Sequence, residues 1–86
     1  MTPPPSPETI DRVTGVIELF TTARRIDPRA LLGDDLGFGW LDRMNLGCEL
    51  DTTFTIAIPD REVSDWDTVE DVARTVDRLL SRERRR

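Results

Sequence analysis

Apolar residues recur at spacings of three and four in three separate stretches of this 86-residue chain, and nowhere alternate for more than a few positions. That period belongs to helices with one buried face and leaves little for a sheet to be built from. The first stretch opens with Ser6, a capping hydroxyl, and Pro7, suited to the first helical position. Ile10, Val13, Ile17 and Phe20 follow, with Val16 and Leu19 widening the stripe up to Arg24 and Arg25 in the last turn. Gly15 inside this pattern reads as a tolerated residue, not as a point of close helix approach. Asp27 and Pro28 end it. The segment to Gly39 then carries Gly33, Gly37 and Gly39, with Asp34 and Asp35 between apolar anchors Leu31, Leu32, Leu36 and Phe38, and reads as a long loop.

The second stretch runs from Trp40 and Leu41 to Phe54. Leu46, Leu50 and Phe54 form one row, and Leu41, Met44 and Cys48 lie beside it, with Cys48 read as a small core residue. Thr55 to Ile58 could pair only with a strand the chain does not offer, so an extended connector with Ile56 and Ile58 turned inward is expected before Pro59. Asp60 to Trp66 suffices for one or two turns. Asp67 and Glu70 then read as a capping box for the last helix, whose buried stripe is Val69, Val72, Ala73, Val76 and Leu80. Arg74, Arg78 and Arg82 fall on its outer face, and Trp66 reads as a core or staple residue. The spacing thus predicts an all-α four-helix bundle with a long loop between helices one and two and a short third helix. Its domain spans 6–80, between a flexible, solvated proline-rich leader at 1–5 and a basic tail at 81–86.

Composition excludes several functions. A 9.8 kDa chain has room for one small core. One cysteine and no histidine remove an internal disulfide, a Cys/His zinc site and a histidine base. Asp34, Asp35 and Asp42 are not arranged as an acid and base pair, and Asp65, Asp67 and Asp71 lack the glycine and bidentate spacing of a calcium loop. Neither a catalytic residue nor a metal is expected. Residues 34–71 hold eleven acids against Arg43 and Arg61, a charge of −9, while 72–86 carry +4. An acidic centre repels nucleic acid and suits a protein partner with a basic patch. The arginine tail reads as a solvated terminus. No apolar run is long enough to span a bilayer and no targeting segment opens the chain, so a cytoplasmic address and a monomer on its own are expected.

The stretch from Asp35 to Val76, DLGFGWLDRMNLGCELDTTFTIAIPDREVSDWDTVEDVARTV, resembles an acyl carrier protein without gaps. Asp35, Leu36, Gly37, Leu41, Asp42, Leu46, Leu50, Phe54, Ile58, Pro59, Asp60 and Thr68 to Val72 fall in register with the pattern of that family. The resemblance implies a serine, preceded by an aspartate, at the start of the second helix, with a 4'-phosphopantetheine arm esterified to it. Those two positions hold Gly39 and Trp40, and the only serines are Ser6, Ser64 and Ser81. No cofactor is therefore expected. The acidic recognition surface that the resemblance implies is thinned by Asn45 and Arg43 but keeps Asp42, Glu49 and Asp51. Trp40 either packs over Leu41, Phe38 or the loop, or takes the place of the arm as an aromatic anchor. The expectation is a carrier-fold protein, not an enzyme, acting as a noncovalent partner or regulator of an acyl, fatty-acid or polyketide biosynthetic enzyme. It would dock through Trp40, Leu41, Asp42, Met44 and Glu49. The alternative is a working carrier with an atypical attachment point or a noncovalently held acyl ligand.

Overall fold

The computed structural model describes residues 4–84. The first three residues of the expected leader and the last two of the expected tail lie outside them, as does the Arg84 side chain. Four helices follow one another, α1 Pro7–Ile17, α2 Trp40–Phe54, α3 Asp60–Asp65 and α4 Val69–Arg84. Among the described residues the one β-pairing is a single antiparallel bridge between Leu31 and Thr68.

The start of α1 is tied down twice. Ser6 Oγ accepts the Thr9 amide at 3.2 Å, and Thr9 Oγ1 donates at 2.8 Å to Asp77 on α4, which also accepts the Ser6 amide at 3.2 Å. Beside this anchor Pro5 is buried, so the inner end of the leader is packed rather than solvated. The far end of α1 departs from expectation. The helix stops at Ile17, tightens into one 3-10 turn over Glu18–Phe20, and leaves Thr21 extended, so Arg24 and Arg25 lie beyond it. Thr21 Oγ1 accepts the Ala23 amide at 3.2 Å, a local bond that competes with further helix. The tighter winding turns Leu19 outward, 70% exposed, instead of into the stripe.

The core joins Val13 and Ile17 of α1, Leu46 and Leu50 of α2, and Val69, Val72, Ala73 and Val76 of α4, with Leu32 inserted from the loop. Trp66 is buried beneath them, its indole N–H donating to Thr75 Oγ1 at 3.0 Å, which satisfies the one polar atom such a ring brings inside. The connector behaves as expected. Ile58 is buried and Ile56 half-buried, and Asp51 holds both turns of chain through Ile56 N to its carbonyl and Ile58 N to its carboxylate at 2.9 Å.

Three further expectations change. Cys48 is exposed on the outer side of α2, because the rows that are covered run through Leu46, Gly47 and Leu50. The capping box of α4 is one residue later than Asp67 and Glu70. Thr68 Oγ1 accepts the Asp71 amide at 3.1 Å and Asp71 Oδ2 accepts the Thr68 amide at 3.0 Å, since the bridge to Leu31 holds Thr68 in the extended cap position. Finally, α4 runs past Leu80 to Arg84, so the tail begins as helix. Arginine is a good helix former, and cations are favoured at a helix C-terminus.

Candidate functional site

The loop before α2 is stitched to the turn before α4. Leu32 N donates to Asp67 O at 2.8 Å, Val69 N to Ala30 O at 3.1 Å and Glu70 N to Pro28 O at 2.8 Å, while Phe38 N closes the loop on itself through Leu32 O at 2.8 Å. Phe38 is buried edge-on to Phe20, ring centroids 6.5 Å apart. Gly37, at φ +72°, makes the left-handed turn that brings the chain round to Gly39, the cap of α2.

Gly39 has no side chain with which to cap, so the first turn of α2 relies on Asp42, whose carboxylate accepts the Gly39 amide at 3.3 Å. Trp40 and Leu41 occupy the first two helical positions and point into solvent, 57% and 72% exposed. They are two of the four large apolar side chains that the described residues expose; the others are Leu19 and Leu31. Of the residues expected to form a docking face, Trp40, Leu41 and Glu49 are exposed, Asp42 is half-buried, and Met44 is half-buried against the core. Leu41, Asn45, Cys48 and Thr52 continue as an exposed strip along the helix, four, three and four residues apart.

Charged residues of the acidic segment also serve the fold. Asp51 fixes the connector, as above. Arg43 turns its guanidinium away from the surface to donate to the Trp66 carbonyl, close to Gly33. Sequence reasoning assigned Arg43 a surface charge, because nothing local signals an acceptor 23 residues away. Asp71 is pushed up by partial burial, but the amides of Thr68 and Asp67, the Thr68 hydroxyl and Arg74 outweigh this, and its carboxyl lies below the usual aspartate value. Among the described residues no group of three or more histidine, cysteine, aspartate or glutamate side chains is placed to hold a metal.

A protein of solved structure from Mycobacterium tuberculosis, assigned as an acyl carrier protein, superposes with a TM-score of 0.74 at 33% identity, and the match covers 79% of this chain and 93% of that one. The chain belongs to the acyl carrier protein family. No protein-family model and no curated protein sequence matches it. Family membership accounts for the architecture, four helices with the long first loop, and describes a carrier rather than a catalytic fold. Among the described residues no helix is long and apolar enough to cross a membrane.

Proposed function

We propose that this acyl carrier protein-like chain works without a phosphopantetheine arm, as a noncovalent partner or regulator of an acyl, fatty-acid or polyketide biosynthetic enzyme. The observation that carries the reading is Trp40, 57% exposed at the first position of α2, where the resemblance places the arm-bearing serine. A phosphodiester needs a hydroxyl, and residues 37–42 offer none. The residues present do not fit the group. The remaining serines stand elsewhere: Ser6 caps α1, Ser64 donates to Asp60 O within α3, and Ser81 lies on α4.

An exposed tryptophan beside an exposed leucine is a fitting anchor for a partner's apolar pocket. Asp42 in the same first turn and exposed Glu49 more than two turns further along α2, with Arg43 turned inward, favour a basic surface on the partner. Two measurements test the reading. Intact mass, before and after incubation with a broad-specificity phosphopantetheinyl transferase and coenzyme A, is expected not to change; a gain of one arm would return the chain to the working carriers. Trp40→Ala and Asp42→Arg are expected each to lose a protein that the unaltered chain captures from its native host. Retention of every captured protein by both variants would remove this surface from consideration.

A further inference from the structure

Within the first turn of α2 the one side-chain bond among the described residues is that of Asp42 to the Gly39 amide at 3.3 Å. The turn starts on a glycine cap, follows a second glycine at positive φ, and carries two side chains that touch little of the core. The first amides of a helix lack intrahelical acceptors, and a cap with no side chain leaves such a turn prone to fray. What reaches across is Arg43. It lies one turn into α2, its backbone amide closes the first helical bond to Gly39 O at 3.1 Å, and its guanidinium donates to the carbonyl of Trp66 at the end of α3. Trp66 is itself immobilised, 2% exposed and bonded through its indole to Thr75 of α4. The same turn accepts the Leu32 amide at Asp67 O and pairs Thr68 with Leu31. Arg43 therefore ties the first turn of α2 to a buried, hydrogen-bonded junction between α3 and α4.

We infer that Arg43 is the positioning residue of the docking end: through Trp66 it holds Trp40 and Leu41 in a fixed direction, while withdrawing its own charge from the acidic rim. The inference rests on reading the first turn of α2 as the docking end. Its physical content is preorganisation, since an anchor already held in its bound direction loses less freedom on association. The two ends of the Arg43 side chain have separate roles. The guanidinium donates to the Trp66 carbonyl, and the aliphatic stem carries it there.

Amide hydrogen exchange by NMR on the full chain tests this without any partner. Arg43→Met keeps the stem and removes the donors, whereas Arg43→Lys returns one donor that can reach a carbonyl. In Arg43→Met the amides of residues 43–47 in α2 are expected to exchange at least about five times faster than in the unaltered chain. Those of residues 73–77 in α4 stay unchanged, and the indole N–H of Trp40 becomes more mobile on the nanosecond scale by its heteronuclear NOE. Arg43→Lys is expected to bring both readouts back toward the unaltered chain. Equal acceleration in α2 and α4, no acceleration at all, failure of Arg43→Met to fold, or no rescue by lysine would each overturn the assignment, because Arg43 would then support the whole bundle or nothing in particular. The docking reading fails separately. If Trp40→Ala captures the same proteins as the unaltered chain while the exchange pattern holds, the positioning is real and the surface is not a docking end.

Discussion

Gly15 and Gly47 both lie inside helices, and their surroundings set them apart. A Cβ added at Gly15 would meet nothing within 4 Å, so that glycine only weakens α1. A Cβ at Gly47 would lie 3.3 Å from Cγ2 of Val63, where α3 crosses α2, and Val63 is a buried, β-branched side chain with little freedom to yield. Gly15→Ala is expected to stabilise the fold by about 1 kcal/mol in urea unfolding. Gly47→Ala has the same propensity gain but is expected to fall short of Gly15→Ala by at least about 1 kcal/mol, because the crowding works against it. A larger gain at Gly47 than at Gly15 would show that α3 gives way more readily than its packing indicates. Cys48, the next residue, teaches the same lesson in reverse. Its chemistry suits a core, and it is exposed only because the covered side of α2 runs through its neighbours.

At the scale of elements, the two long helices that follow the loop start in contrasting ways. α4 has a reciprocal cap in Thr68 and Asp71, with Asp67 N a second amide donating to the same carboxylate at 2.9 Å, while α2 starts on glycine, keeps one bond from Asp42 and borrows further support from Arg43. Removing the hydroxyl in Thr68→Ala is expected to lower stability by about 1 kcal/mol at neutral pH. The Asp71 carboxyl also carries a pH signature. Its folded value is depressed, so the stability it contributes is complete above its unfolded value and is lost as pH falls through the folded one. Denaturant unfolding between about pH 5 and about pH 2 is therefore expected to show a smaller fall in stability for Asp71→Asn than for the unaltered chain. An equal fall in both would assign the acid sensitivity to other carboxylates.

Across the whole molecule, the pairing of α1 with α4 depends on a contact no local pattern announces. Asp77 gathers the Thr9 hydroxyl and the Ser6 amide from 68 and 71 residues away, beside buried Pro5. Asp77→Ala is expected to lower stability by about 1–2 kcal/mol in thermal or urea unfolding, while leaving exchange in the first turn of α2 unaltered. A neutral effect would mean that burial alone aligns the two helices. By itself the sequence determined the four helices, the long first loop, the inward Ile56 and Ile58, the buried stripes of α1 and α4 and the family pattern from Asp35 to Val76. All of these depend on periodicity, caps and turns, which act between residues close in the chain. Periodicity orders the faces of a helix but does not say which of them a neighbour will cover. Only the tertiary structure decided that Leu19, Cys48 and Trp40 stay outside, that Arg43 turns in to Trp66, and that Thr68 rather than Asp67 caps α4. Each of those outcomes depends on contacts between distant segments, or on their absence, and such contacts exist only after the helices have packed.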